Sequence, residues 1–101
     1  MKTPYELFGW EIGKGWVPLV QELIEDLKKL EWDGTILQIK EKFGGLRVYI
    51  GCGTDQIWDR ISKAEQDSYS ICEECGATGK RRGSGWIRTL CDPCAKKNEY
   101  V

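Results

Sequence analysis

Four cysteines constrain this chain more than anything else in it: Cys72-x2-Cys75, fifteen intervening residues, then Cys91-x2-Cys94. Two residues between cysteines let each pair form a tight knuckle whose sulfurs face one ion at Zn–S distances of ~2.3 Å, and two such pairs make a four-cysteine zinc site. Four thiolates fill a tetrahedral ion and leave no position for water or substrate, so the spacing predicts one structural Zn(2+) per chain. An iron–sulfur cluster or a redox pair also uses such cysteines, but two pairs at this distance favour zinc over both. Gly76 relieves the backbone where the first knuckle turns back. Between the pairs, Ala77 to Lys80 and Trp86 to Leu90 are expected as a short hairpin around residues 82–85, and Pro93 as the opening of a last helix through Lys97. A helix there makes the module treble-clef-like rather than a plain zinc ribbon.

A chain of 101 residues fits one domain with a modest core, a size at which such a staple is welcome. The fifth cysteine, Cys52, lies between Gly51 and Gly53 and reads as a small buried hydrophobe, with no base near it to make a nucleophile. Paired cysteine spacing in place of a disulfide framework, with no apolar run long enough to span a membrane, predicts a soluble protein of the cytoplasm. There is no histidine. Cys-His and Ser-His pairs and the commonest general base are therefore excluded, which argues against an enzyme. An activity built on Tyr49 or a glutamate with Lys40 and Arg47 has no assembled site to support it.

The remaining chain reads as an α+β layer: an irregular arm, a helix, a β-hairpin and a second helix over residues 1–70, with the zinc module of residues 71–101 packed on it as one unit. Residues 3–16 suit an arm anchored by Trp10 and Trp16. From Pro18, the apolar residues Val20, Leu23, Ile24, Leu27 and Leu30 recur at helical spacing, with Gln21, Glu22, Glu25, Asp26, Lys28 and Lys29 opposite. Asp33-Gly34 makes a turn, and Thr35 to Lys40 and Leu46 to Gly51 form two strands around Gly44-Gly45. Thr54 or Asp55 caps a helix with Ile57, Ile61, Ala64 and Ser68 on one side and Trp58 beside them.

Hairpin register follows from parity. Leu37 and Ile39 must share a face with Leu46, Val48 and Ile50, which a two- or four-residue loop permits. Lys40, Arg47 and Tyr49 then share the other face, joined by Lys42 in the tighter version. Like charges across strands are unfavourable, so Glu41 or Glu11 folded over them, solvent, or an anionic partner is expected to compensate. This face is one candidate partner surface. The acidic helix face of Glu22, Glu25 and Asp26 and the Arg81-Arg82 loop are the others.

Charge limits the choice of partner. The formal charge is -1, and four thiolates with a divalent ion bring the loaded protein to about -3. Residues 71–101 carry six bases against four acids, residues 1–70 nine against twelve. Neither offers the positive field of a nonspecific nucleic-acid binder. A zinc module contacting nucleic acid through Lys80, Arg81, Arg82, Trp86 and Arg88 is the second reading, behind a protein partner. Nothing points to a small-molecule substrate.

The run EKFGGLRVY followed by a helix, then CEECG, the pair Gly85-Trp86 and RTLCDPC resembles a family of small phage and prophage proteins with a C-terminal zinc module. The likeness extends from FGWEIGKGW through CDPC. The chain departs from many such proteins at the last ligand position, often His there and Cys94 here. A zinc-containing acidic chain of this length is also similar to type II anti-CRISPR metalloproteins. That resemblance implies a non-enzymatic phage inhibitor that binds a type II CRISPR effector nuclease and blocks its use of DNA.

Overall fold

The computed structural model describes residues 10–100; the part of the predicted arm before Trp10 lies outside them. After a single 3-10 turn at Lys14–Trp16, helix α1 spans Val17–Lys28 with Pro18 in its first turn. Strands β1 (Ile36–Lys42) and β2 (Gly45–Ile50) form an antiparallel hairpin, and α2 spans Asp55–Ser68. In the C-terminal region β3 (Lys80–Arg82) pairs with β4 (Arg88–Leu90), and α3 covers Asp92–Lys97. The architecture is α+β with two small antiparallel sheets.

Each helix follows from its local sequence. In α1, Val20, Leu23 and Leu27 are buried while Ile24, and Leu30 just past the helix end, pack at the margin, the stripe a 3.6-residue period produces. Helix α2 begins where the Thr54 hydroxyl accepts the Ile57 N–H at 3.3 Å, and it buries Ile57, Ile61, Ala64 and Ser68. It lies along β2, and α1 lies against α2. Arg60 of α2 donates to the Asp26 carboxylate of α1 at 2.8 Å, so the acidic face of α1 is partly used inside the fold. Thirteen buried apolar side chains from the arm, both helices and the hairpin make one cluster, with Trp10 and Trp16 in it as anchors.

The hairpin turn is Phe43-Gly44, one residue earlier than expected. Lys42 pairs with Gly45, Lys40 with Arg47 and Ile39 with Val48, the two-residue version of the parity argument. Both turn residues have positive φ, 53° at Phe43 and 77° at Gly44, the mirror-image turn whose twist matches the strands. Leu37 departs from the expected pattern. A register shift between the Ile36 and Gln38 pairs makes it the extra residue of a β-bulge, and it is 65% exposed, while Ile36 packs on the core in its place. Cys52 is exposed rather than buried, because the chain between β2 and α2 runs over the surface.

Both hairpin edges are occupied within the chain. Ser68 and Glu65 of α2 accept the outward N–H groups of Leu46 and Val48 at 2.9 and 3.1 Å. On the β1 edge, the Glu11 N–H donates to Ile39 at 2.9 Å and its carbonyl accepts the Glu41 N–H at 3.0 Å. Of the two glutamates expected near the lysines, Glu11 is bridged to Lys40 and shares its face, and among the described residues neither glutamate forms an ion pair with them. Glu11 contributes these backbone groups, and the Glu41 carboxylate accepts the Gly44 N–H at 2.7 Å, closing the turn.

Candidate metal centre and the hairpin face beside it

The knuckle geometry explains why these four sulfurs converge. The Cys72 N–H donates to Ala77 and its carbonyl accepts the Gly76 N–H at 2.9 Å, with φ of 88° at Gly76 turning the chain back. The second pair straddles the start of α3, where the Cys91 carbonyl accepts the Ala95 N–H at 2.9 Å. The strands between the pairs are shorter than expected, with Gly83–Ile87 as the loop, and Thr78 instead bridges to Ile71. Knuckle, hairpin and helix therefore follow one another in the treble-clef-like order.

The sulfurs of Cys72, Cys75, Cys91 and Cys94 all lie within 4.8 Å of one another, and those of Cys75 and Cys91 are 3.6 Å apart. A tetrahedral ion with bonds of ~2.3 Å requires sulfur separations of about 3.8 Å, so the cluster can hold one metal ion. Cys72 and Cys91 are buried, Cys94 is half-buried and Cys75 is exposed. Burial opposes ionisation of Cys72, but N–H groups of Cys91, Cys75 and Glu74 outweigh it and bring the thiol down to about 6. The hydrogen bond with Cys91, then burial, pushes Cys94 far up. Negative charge on sulfurs this close together is mutually opposed, and a divalent cation is what lets all four ionise together.

Around the cluster, a polar network takes the place of a large core. The buried Glu73 carboxylate accepts from Arg88 Nε at 2.9 Å and from the Thr89 N–H at 3.2 Å, tying the first knuckle to β4. Glu74 accepts from Lys97 at 2.9 Å and Asn98 at 2.7 Å, tying it to α3. Arg82 donates to the Leu90 carbonyl at 3.0 Å and to Asp92 at 2.5 Å.

The rest of the molecule docks on this module through backbone groups. The Gly15 N–H donates to the Glu73 carbonyl at 2.9 Å, and the Trp16 indole donates to the Ile71 carbonyl at 2.8 Å. A side chain at Gly15 would collide with the Cys72 carbonyl, so the arm lies directly on the knuckle. From the other side, Thr89 Oγ1 donates to the Gly44 carbonyl at 2.5 Å, and Arg81 donates to the Phe43 carbonyl at 2.8 Å while covering the Tyr69 ring at 4.8 Å. That ring presses on Gly45, where an added Cβ would lie 2.7 Å from it. Gly44-Gly45 therefore serves the turn and also lets it sit between Tyr69 and β4.

These contacts sort the predicted surface residues. Arg81, Arg82 and Arg88 spend their guanidinium groups on internal acceptors. Arg47 is held by the Leu46 carbonyl at 3.2 Å and the Tyr69 hydroxyl at 3.4 Å, and that hydroxyl is the main reason its pKa is raised. Glu25 pairs with Lys28 on the surface and Glu22 is exposed. On the outer hairpin face, register brings together Gln38, Lys40, Lys42, Arg47 and Tyr49, and the Glu11 bridge to Lys40 sets one carboxylate residue beside them. Lys40 lies 5.8 Å from the Tyr49 ring and Lys42 5.7 Å from the Phe43 ring, and among the described residues neither lysine forms an ion pair. Sequence reasoning passed over Tyr69, Glu73 and Thr89, and it centred the turn on Gly44-Gly45 because Phe-Gly is not one of the pairs a two-residue hairpin favours, such as Asn-Gly.

In comparisons with family models, curated proteins and solved structures, none matches this chain.

Proposed function

We propose that the chain is a non-enzymatic zinc protein that binds a macromolecular partner through the outer face of the β1–β2 hairpin. Phe43 carries this reading. A bulky residue with φ of 53° costs roughly 1–2 kcal/mol relative to an ordinary conformation, and this one remains 57% exposed, gaining little burial in return. Strain retained at an exposed aromatic beside Lys42, which forms no ion pair among the described residues, supports selection for contact rather than for stability. Zinc is the metal that four thiolates in this spacing favour, and a filled thiolate shell gives it a structural role. The absence of histidine supports a non-enzymatic reading.

A protein partner is the first choice, and the resemblance supplies its finer form, an inhibitor of a type II CRISPR effector nuclease. Replacing Phe43 by Asn, which tolerates positive φ, should leave melting unchanged or raise stability by up to ~1 kcal/mol while weakening partner binding. Capture from an infected or lysogenic bacterial host with wild type and Phe43→Asn side by side tests this. A partner retained equally by both proteins moves the contact elsewhere, and no stable complex with any effector nuclease removes the inhibitor form. Nucleic acid is the second reading, relocated from the engaged Arg81, Arg82 and Arg88 to the lysines and exposed rings of the hairpin; its signature is binding that weakens steeply with salt.

A further inference from the structure

The turn of the β1–β2 hairpin and the β3–β4 loop of the C-terminal module meet along a seam. A Cβ built on Gly44 would lie 3.1 Å from Ile87 Cγ2, and Thr89 Oγ1 donates to the Gly44 carbonyl at 2.5 Å. Phe43 stands one residue from this seam on the hairpin side and Trp86 one residue from it on the module side. They are 57% and 76% exposed, the two most exposed aromatic side chains among the described residues. Two peptide steps of ~3.8 Å and the Gly44–Ile87 contact put their Cα atoms within about 15 Å of each other. Both positions are held: Arg81 donates to the Phe43 carbonyl at 2.8 Å, and the Tyr100 hydroxyl donates to the Trp86 carbonyl at 3.0 Å. Neither ring contributes much burial to the fold.

Two cations accompany the rings. Lys42 lies 5.7 Å from the Phe43 ring and forms no ion pair among the described residues. Arg81 is exposed, and the carbonyl it meets leaves its charge unneutralised. The Glu41 carboxylate next to them in sequence is engaged by the Gly44 N–H at 2.7 Å. We infer that Phe43, Lys42, Arg81 and Trp86 form one docking surface, spanning hairpin and module, for an acidic polypeptide segment that carries apolar side chains. The inference rests on the hairpin reading and extends it across the seam. Carboxylates match the two cations, and the rings offer apolar area. A polypeptide suits the surface better than a nucleic acid or an anionic membrane, because Glu11 beside Lys40 and Asp92 beside Arg82 interrupt any longer basic track and the formal charge of the chain is -1.

The probe is a random twelve-residue displayed peptide library, panned on the full-length, metal-loaded protein, with the enriched peptide then synthesised and titrated. Enriched sequences should carry Asp or Glu around apolar residues no more than about four positions apart, the reach of an extended segment across the seam. Trp86→Ser and Phe43→Asn should each weaken that peptide roughly tenfold, and Lys42→Glu roughly threefold, with melting temperature unchanged by Trp86→Ser because the ring is exposed. In the wild type the peptide should shift the Trp86 indole N–H resonance and leave that of Trp58, on α2, in place. Loss with Phe43→Asn but not Trp86→Ser, with an unmoved Trp86 resonance, overturns the extension and leaves the hairpin reading standing. Loss with neither variant removes both readings, and loss with Trp86→Ser alone removes the hairpin reading and this inference with it. No enrichment, or enrichment without acids, overturns the inference while the hairpin reading keeps its own capture test. Oligothymidine or phosphatidylserine vesicles binding through the same residues more tightly than the peptide would assign the surface to nucleic acid or lipid instead.

Discussion

The two regions of this molecule are held together by different physics. The arm, α1, the hairpin and α2 share thirteen buried apolar side chains, whereas the buried cluster of the C-terminal module is Cys72, Leu90, Cys91 and Ala95, two of them metal-ligand candidates. The first region can fold by removing hydrocarbon from water. The second has too little to remove; it has instead four sulfurs close enough to hold a metal ion and the network of Glu73, Glu74 and Arg88. The dependence is not one-sided, because Gly15, Trp16, Phe43 and Gly44 of the larger region are hydrogen-bonded to the smaller one.

Removing the metal should separate the regions most sharply. Structural zinc contributes on the order of 10 kcal/mol in small peptide modules, more than any single side chain. Chelation, or Cys72→Ser, should therefore abolish amide-exchange protection at Cys72, Gly76 and Ala95 while amides in the middle of α1 and α2 stay protected. Uniform loss of protection would mean that the larger region has no independent stability, and unchanged protection would mean that the metal is incidental. Elemental analysis should find about one zinc per chain, and iron would overturn the metal assignment.

Leu23→Ala is the reciprocal perturbation. Leu23 is fully buried in α1, so truncation should cost about 3 kcal/mol in the melting transition while leaving zinc stoichiometry at one per chain. Glu73→Gln should follow at roughly 2 kcal/mol, because it weakens the charged hydrogen bonds to Arg88 and Thr89. Its effect should be concentrated in β4 and the first knuckle, as read by exchange at Thr89 and Glu73; equal loosening of α1 would erase the distinction between the regions.

The same division separates what was legible in the sequence from what was not. The CxxC pairs, the Thr54 cap and the periodic faces of α1 and α2 are local patterns, and the α+β order followed from them. The hairpin's parity was also legible, and it located Lys40, Arg47 and Tyr49 on one face. Leu37 escaped because a bulge changes register without changing the alternation on either side of it. Cys52 escaped because its neighbours in sequence, two glycines, do not report burial. Arg81 and Arg82 looked like free surface charge because their acceptors at Phe43 and Asp92 are set by packing rather than by sequence neighbourhood. Gly15 and Gly45 are required by partners at Cys72 and Tyr69, and one chain's sequence carries no sign of such remote close approaches.

The smallest expected effect is electrostatic and belongs to the larger region alone. Hydrogen bonding from Arg60 holds the Asp26 carboxyl below its ordinary value of 3.8, against a lesser opposing effect of desolvation. With the folded-state value depressed, the unfolded chain takes up the proton first as pH falls. The pair therefore contributes its full stabilisation above the unfolded value near 4 and loses it as pH drops through the folded value. Asp26→Asn should lower the melting temperature slightly at neutral pH, and the gap from wild type should close on acidification below about pH 4. Running both proteins through the same titration cancels the acid effect of protonating the four cysteines at the candidate metal centre, which is common to the two. A gap that stays constant from pH 7 to pH 3 would show that Asp26 acts through shape or hydrogen bonding rather than charge, and the α1–α2 contact would then rest on its apolar stripe alone.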